Sequence, residues 1–247
     1  MKTSKSQQEQ TRRNLIRTAV DLITEKGYDA ATMKQIAREA GIGDATIYKY
    51  FPSKEKILLA YYELCIEITL EVAQETPGWE EFTLQEKLQR LVDALLELLL
   101  GDREFVEITR DIFGKSPLLM MRDNMPGQQT LKQEIISLLE EAEQRGDISP
   151  CDFKNLIGGL FGDYLFAVIA YWLKDDSEEF SNTTQLVDMT LAILVMALKS
   201  GIVNKVTELA SFMLRNQLSR IMQNGSGLLD MVKLVQNGLG RGLGDAR

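Results

Sequence analysis

The sequence predicts an all-α protein, with a small N-terminal three-helix domain that contains a helix-turn-helix and a larger helical domain behind it. Apolar residues recur every three to four positions along nearly all of the 247 residues, and no strand-like alternation of useful length appears. Two capping-box patterns, Thr32 with Gln35 and Thr83 with Glu86, mark helix starts. Glycines such as Gly27 stand where apolar runs end, as C-cap residues do.

Residues 1–60 are expected to form the N-terminal domain. A first apolar helix is followed by a short helical segment from Thr32 to Gly41 and by another that runs to Phe51. A proline then interrupts the chain, and Ser53 is the expected N-cap of a longer helix.

Residues 61–225 are expected to form the larger helical domain, and residues 226–247 a C-terminal extension with a short helix and a loose tail. Ser149 and Pro150 are interpreted as the N-cap and first residue of a long helix. The predicted helices of the larger domain run from Thr83 to Gly101, Asp102 to Gly114, Leu131 to Gly146, Ser149 to about Lys174, about Thr184 to Lys199 and about Ile202 to Gln223.

Charge divides the chain in the same way. Residues 1–60 carry eleven Lys or Arg and seven Asp or Glu, a net charge of +4, whereas residues 61–247 carry seventeen and twenty-nine, a net charge of −12. A basic N-terminal part suits a polyanionic partner. The acidic part indicates either a cationic ligand or, as we prefer, a solvated surface that repels polyanions.

Residue types that are absent exclude several classes of chemistry. The chain has no histidine and only two cysteines, Cys65 and Cys151. Histidine is the commonest general base and metal ligand, so Ser–His and Cys–His catalysis are excluded, and neither a zinc site nor a disulfide framework is expected. We therefore expect a binding protein without metal or cofactor rather than an enzyme.

No membrane-spanning segment is predicted. The longest stretches without a charged residue, 164–173 and 189–198, are ten residues each, whereas a spanning helix needs roughly 18 or more apolar residues. The N-terminus is polar and has no signal-peptide pattern. The expected location is the cytoplasm.

The most informative segment is residues 32–55, which has helix-turn-helix dimensions. Gly41 supplies a residue that tolerates positive φ at the turn. The second short helix buries Ile47 and Phe51 at i, i+4. Five other positions then face outwards or along the edge, where hydroxyl and ammonium groups can donate to phosphates and base edges: Asp44, Ala45, Thr46, Tyr48 and Lys49.

This run resembles the DNA-binding domain of TetR-type transcriptional regulators. The similarity extends from about Arg12 to about Leu59, a fifth to a quarter of the chain. The matching elements are Thr32, Ile36-Ala37, Ala40-Gly41-Ile42, Thr46-Ile47-Tyr48, Tyr50-Phe51 and Ser53-Lys54-Glu55.

The resemblance implies roles for the matching positions on double-stranded operator DNA. Thr32 would contact a phosphate at a helix N-terminus, and Lys34 a base edge or a nearby phosphate. Asp44, Ala45 and Thr46 would lie against bases. Tyr48 and Tyr50 would hydrogen-bond the DNA backbone, and Lys54 would clamp a phosphate. The tyrosines could instead be packing residues, and Lys49 and Lys54 solvated charges.

Two positions depart from the family pattern. Gly43 stands where the family often has a serine N-cap. Glycine in place of serine costs a few tenths of a kcal/mol and removes one possible phosphate contact. Asp44 brings an acid towards a polyanion, so we expect it either to cap the helix or to accept from a cytosine amino group.

The resemblance also implies that the larger domain binds a small-molecule effector and forms a homodimer. Methionine and aromatic residues suit an apolar cavity, although any one of them is more often a core residue. The expected ligand-binding residues are Phe105, Phe113, Met120, Met121, Tyr164, Tyr171, Trp172 and Met189.

A dimer interface is predicted from the last helices. Gly158, Gly159 and Gly162 allow a neighbouring helix to approach closely, and four leucines on the next helix would complete a four-helix interface. Internal packing is an equally good interpretation of these residues. The leucines are Leu186, Leu191, Leu194 and Leu198.

The predicted function is a repressor that leaves its palindromic operator when a small, largely apolar effector binds. One alternative is a regulator controlled by a protein partner and without a small-molecule pocket. The other is an all-helical enzyme, for which neither a carboxylate site nor a glycine-rich phosphate loop is found.

Overall fold

The computed structural model describes residues 4–115, 127–206, 208–209 and 212–213, and this part of the chain is helical without strands. The all-α prediction is confirmed. The α-helices are α1 (Lys5–Lys26), α2 (Met33–Glu39), α3 (Asp44–Tyr50), α4 (Lys54–Gln74), α5 (Leu84–Leu100), α6 (Arg103–Lys115), α7 (Gln128–Gln144), α8 (Lys154–Trp172) and α9 (Ser181–Lys199).

Helices α1 to α3 and the first turns of α4 form the N-terminal head. Ile36 and Ala37 of α2 and Ile47 of α3 are completely buried against the inner face of α1. Gly27 ends α1 with φ +82°, and the capping box of Thr32 and Gln35 begins α2. Both predicted signals are therefore confirmed.

Helix α4 belongs to both parts of the molecule. Ile57 and Leu58 near its start are buried with the head, and Tyr61 packs edge-on against Phe105 of α6 at a ring distance of 4.8 Å. Further along, α4 packs against α5 and α7. The boundary expected between residues 60 and 61 falls inside this helix, and residues 226–247 lie outside the described residues.

One predicted helix start is wrong. The helix expected from Ser149 begins at Lys154, with Phe153 at the N-cap position. Ser149 instead donates from its backbone N–H to Leu198 O (3.2 Å) and from its hydroxyl to Lys199 O (2.8 Å). The polar residue therefore serves the open carbonyls at the end of α9, which need donors just as helix starts need acceptors.

Two of the three α8 glycines serve internal packing. A Cβ on Gly158 would lie 3.0 Å from Lys132 O of α7, and one on Gly162 would lie 3.2 Å from the Gln128 amide nitrogen. Leu191 and Leu198 of α9 are buried in the core. For these residues the structure therefore favours internal packing over a dimer interface.

Other apolar side chains of α8 and α9 remain exposed. On α9 they recur at i, i+4, i+7 as Met189, Ile193 and Met196, whose exposed fractions are 55%, 65% and 68%. On α8 the exposed apolar residues include Leu156, Leu160 and Tyr171.

By length and composition α8 and the segment 178–199 could each cross a membrane. This is weak support for a span, because core helices of soluble proteins meet the same criterion. The inner faces of both helices pack within the domain, α8 against α7 and α9 against α5. The sequence prediction missed their overall hydropathy because it considered only uninterrupted uncharged runs.

The turn between α8 and α9 is organised by one carboxylate. Asp175 accepts from the N–H and hydroxyl of Ser177 (3.0 and 2.6 Å) and from the N–H and hydroxyl of Thr183 (2.8 and 2.6 Å). These bonds stabilise the charged form and hold the pKa of Asp175 well below its usual range. The pKa of Asp175 is lower in the folded protein than in the unfolded chain, so the ionised carboxylate stabilises the fold. This stabilisation is fully present above the pKa of the unfolded chain and is lost as the pH falls through the pKa of the folded protein.

We predict that Asp175→Asn lowers the free energy of unfolding at pH 7, and that this deficit shrinks as the pH falls below about 4. The amide keeps one acceptor oxygen and presents an NH₂ group to donors. Urea denaturation of both proteins between pH 7 and pH 3 measures the difference. Asp176→Asn, at the exposed neighbouring position, is the control and should match the wild type; a deficit that does not depend on pH would contradict the assignment.

Candidate nucleic-acid interface and effector cleft

The turn between α2 and α3 is set by Gly41, whose φ is +73°. Its N–H donates to Arg38 O (3.1 Å), and the next N–H, of Ile42, donates to Ala37 O (2.9 Å), so the last carbonyls of α2 are satisfied by the turn itself. The turn directs α3 across α2 and leaves the outer face of α3 open.

The outer face of α3 carries the expected contact residues. Asp44 and Tyr48, and Ala45 and Lys49, are i, i+4 pairs, and all four are exposed. Tyr48 exposes half of its surface, which is unusual for an aromatic side chain of this size without a partner. Thr46 and Tyr50 are partly buried at the edges of this face.

The N-terminal ends of α2 and α3 differ in their capping. The Thr32 hydroxyl accepts from Gln35 N–H (3.3 Å) and lies 3.0 Å from the Gln35 side-chain oxygen, so it is part of the capping box. Gly43 is the N-cap of α3 and makes no side-chain bond. Asp44 is thus the first residue of α3 and not its N-cap. At this position its negative charge interacts favourably with the helix dipole.

The helix-turn-helix carries exposed positive charges that form no salt bridge among the described residues. Within the described residues, Lys34 and Arg38, which are four residues apart on α2, and Lys49 on α3 are exposed and form no salt bridge. The α1 arginines are compensated: Arg12 lies 2.9 Å from Glu63, and Arg17 2.8 Å from Asp102. The sequence prediction did not include Arg38 among the DNA-binding residues, although its i, i+4 spacing places it on the same face of α2 as Lys34.

Lys54 is not free in the way that the resemblance implies. Its ammonium donates to the carbonyls of Tyr28 and Ala31 (2.7 Å to the latter) and lies 4.0 Å from the centre of the Tyr28 ring. In this DNA-free structure the Lys54 charge is engaged inside the head, and its role as a phosphate clamp stays a prediction.

An apolar cleft opens between α4, α5, α7 and α8. With the part open to solvent it encloses about 480 Å³ of empty space, and its interior is narrow. Its lining consists of Tyr62, Cys65, Ile66, Leu95, Leu99, Gln128, Leu131, Gly162, Leu165, Phe166 and Ile169.

The chemistry of this cleft is neutral. No lining residue carries a charged side chain, and burial raises the pKa of the Cys65 thiol to about 12, so that it stays protonated. The Tyr62 hydroxyl lies 2.5 Å from the Thr109 hydroxyl and is thereby partnered. An apolar molecule is the ligand that such walls favour.

The expected ligand-binding residues do not line this cleft where their side chains are described. Phe105 and Trp172 are buried core residues, and the Trp172 ring lies next to both the Arg103 guanidinium and the Phe180 ring. Tyr164 is bonded to Thr190 (2.8 Å), and Tyr171 and Met189 are exposed.

The side chains of the other three expected ligand-binding residues lie outside the described part of the chain. Phe113 belongs to α6, but its side chain is outside the described set, and Met120 and Met121 lie outside the described residues. Leucine and isoleucine make up most of the cleft lining, with Tyr62 and Phe166 as its aromatic residues, whereas the prediction favoured aromatic residues and methionine. Which side chains point into the cleft depends on how four helices pack together. The periodicity of the sequence alone does not predict this packing.

Comparison with known proteins matches both parts of the chain. Residues 15–61 match the family described as "Bacterial regulatory proteins, tetR family", and residues 87–213 match "Tetracyclin repressor-like, C-terminal domain". A relative is the fatty acid metabolism regulator protein of Bacillus subtilis, 28% identical over 192 residues, which cover 77% of this chain and 95% of that protein.

Solved structures agree in fold. The fatty acid degradation regulator FadR from Bacillus halodurans superposes with a TM-score of 0.55 at 22% identity, covering 77% of this chain and 96% of that one. Salmonella enterica GusR superposes with a TM-score of 0.57 at 20% identity, covering 77% and 95%.

We predict that Gly41→Ala lowers the free energy of unfolding by about 1–2 kcal/mol, because a residue with a Cβ is strained at positive φ. No neighbouring atom lies within 4 Å of the added carbon, so the loss reports the backbone alone. Gly43→Ser, two residues on at φ −69°, is the control and should gain a few tenths of a kcal/mol as a better N-cap. Chemical denaturation measures both; an unchanged Gly41→Ala protein would refute the turn.

Proposed function

The chain belongs to the TetR family of bacterial regulatory proteins and is a DNA-binding transcriptional regulator, and we propose that it is a homodimeric repressor released from a palindromic operator by an apolar effector. The observation that carries the proposal is that α4 lines a neutral cleft along its middle and is buried in the DNA-binding head at its start. Acting on DNA, it would work in the cytoplasm.

In the proposed complex α3 enters the major groove. Ala45, Thr46 and Asp44 meet base edges, while Tyr48 and Tyr50 hydrogen-bond the DNA backbone. The unpaired charges of Lys34 and Lys49, with Arg38 added, provide the phosphate contacts that dominate affinity. The Thr32 hydroxyl, held at the start of α2, meets a phosphate at the helix N-terminus.

The proposed effector has an apolar chain. Leucine, isoleucine and phenylalanine walls without a charged side chain support this class. The names of the B. subtilis and B. halodurans relatives refer to fatty acid metabolism and degradation. A fatty acid or a derivative of one is therefore the effector that we propose for this chain.

The proposed switch is a population shift. An effector that enters the cleft presses on Tyr62, Cys65 and Ile66, which lie two turns from the buried start of α4. If the bound effector favours a wider separation of the two heads, it lowers the affinity of the protein for the operator. Bound operator lowers the affinity for the effector by the same factor. Two recognition helices must lie about 34 Å apart to enter successive major grooves.

The proposed dimer surface is the exposed apolar face of α8 and α9. Met189, Ile193 and Met196 form a stripe on α9, and Leu160 and Tyr171 add to it from α8. A contiguous apolar surface on two adjacent helices is typical of a four-helix interface between subunits. The predicted interface helices are retained here, with these residues in place of the buried leucines.

The experiment that tests the function is fluorescence anisotropy on a palindromic DNA selected from a random library. We predict that palmitate weakens binding to this DNA and that acetate, the short-chain control, does not. Ile169→Trp fills the half-buried wall of the cleft and should abolish the response while leaving affinity without palmitate unchanged. Leu100→Trp, on an exposed position beside the cleft residue Leu99, is the matched control and should respond normally.

Failure of palmitate to act on the wild type would refute a long-chain free fatty acid as the effector, and a normal response of Ile169→Trp would refute the cleft as its site. Absence of any selected DNA would refute the operator. The three outcomes are distinguishable because the last is measured without ligand.

We predict that Ile193→Asp weakens dimerisation by at least ~tenfold, because two buried carboxylates would be placed in an apolar interface. Sedimentation velocity across a concentration series measures the dissociation constant. Val72→Asp adds the same charge at a partly exposed apolar position on α4 and should stay dimeric. A dimer that is unaffected by Ile193→Asp would require a different interface.

A further inference from the structure

The neutral cleft offers no charged partner for the carboxylate of a fatty acid. No lining residue carries a charged side chain, and an ionised carboxylate that leaves water without donors or a counter-charge is strongly unfavourable. The head group of such a ligand must therefore either stay in water or meet donors just outside the apolar walls.

A polar recess adjoins the cleft between α7 and α8. With the part open to solvent it holds about 640 Å³ of empty space. Its lining shares Gln128 and Gly162 with that of the cleft, and its other polar side chains are Gln129, Lys132 and Asn155. Because the two cavities have wall residues in common, a chain in the cleft can extend its head group into the recess.

The recess carries a positive charge without a protein counter-charge. Lys87 of α5 and Lys154 of α8 are paired with Glu141 and Glu143. Lys132 of α7 is partly buried and forms no salt bridge among the described residues. No acidic side chain lines the recess, so an anionic head group is favoured there over a cationic one.

Amide donors lie around this charge. The side chains of Gln128, Gln129 and Asn155 make no hydrogen bond among the described residues, so their N–H groups are available to a ligand. A Cβ on Gly159 would meet no atom within 4 Å, whereas one on Gly162 would lie 3.2 Å from the Gln128 amide nitrogen. The recess is therefore open at Gly159, and the Gln128 side chain lies where the recess meets the cleft.

We propose that this recess binds the carboxylate of an amphiphilic effector whose alkyl chain lies in the cleft. Lys132 is the charge partner of the carboxylate, and Gln128 donates a hydrogen bond to it at the junction. This head-group site rests on the proposed function, in which a fatty acid or a derivative of one is the effector. It adds a second determinant of specificity, a preference for anionic over neutral amphiphiles.

The test is direct binding of laurate and 1-dodecanol, which have the same alkyl chain and differ in the head group, measured by equilibrium dialysis without DNA. Lys132→Met retains the apolar stem and removes the charge. We expect it to bind laurate roughly tenfold more weakly than the wild type, through the loss of a hydrogen bond between charged groups. It should bind 1-dodecanol as tightly as the wild type.

Two further variants separate the charge from the fold. Lys132→Arg keeps the charge and should bind both ligands as the wild type does. Added salt should weaken laurate binding to the wild type and to Lys132→Arg more than to Lys132→Met. Lys174→Met is the matched control, because it removes the same charge from an exposed position beyond the end of α8 and should leave both affinities unchanged.

Equal laurate affinity of Lys132→Met and the wild type would overturn the head-group site and leave the cleft as the whole effector site. Weaker binding of both ligands to Lys132→Met would overturn it as well, since the lysine would then support the fold and not the carboxylate. If neither ligand bound to the wild type, the head-group site and the proposed effector would both fail. If laurate bound as expected without any effect on DNA binding, the proposed function alone would fail.

Discussion

The structure depends on one helix that is buried in two places. Ile57 and Leu58 of α4 lie in the core of the head, and Cys65 and Leu70 of the same helix lie in the core of the body. A helix is stiff along its axis, and its packed side chains have few alternative arrangements. In the proposed switch, a displacement at the cleft would therefore be shared with the head through α4.

Polar contacts between head and body are present but weaker. Arg17 of α1 lies 2.8 Å from Asp102 at the start of α6, and Tyr61 donates to the same carboxylate at 3.1 Å. The Arg17 side chain is 59% exposed, and ion pairs of this kind contribute about 0–1 kcal/mol, whereas one fully buried leucine or isoleucine contributes about 1.5–3 kcal/mol. The packing of α4 and α6 against α1 thus carries most of the connection.

Much of the head was predictable because its signals are local. The capping box at Thr32 and the turn at Gly41 depend on residues within a few positions of each other, and both appear as expected. The cleft was not predictable, because its walls are ordinary leucine and isoleucine residues whose direction is set by four helices at once. The contacts of Lys54 within the head were not predictable for the same reason: its partners lie 23 and 26 residues away. Ser149 has typical N-cap chemistry, but its hydroxyl meets the end of α9 across the fold.

The central claim is that occupation of the cleft moves the two heads of the dimer through α4. The most direct measurement is the distance between spin labels on Glu25→Cys, an exposed position near the end of α1, in the operator-bound dimer and in the dimer with palmitate. The native Cys65 and Cys151 are buried and should not be labelled. Movement of the heads through α4 predicts a longer distance with palmitate, and no such change in Ile169→Trp. Identical distance distributions with operator and with palmitate in the wild type would contradict it.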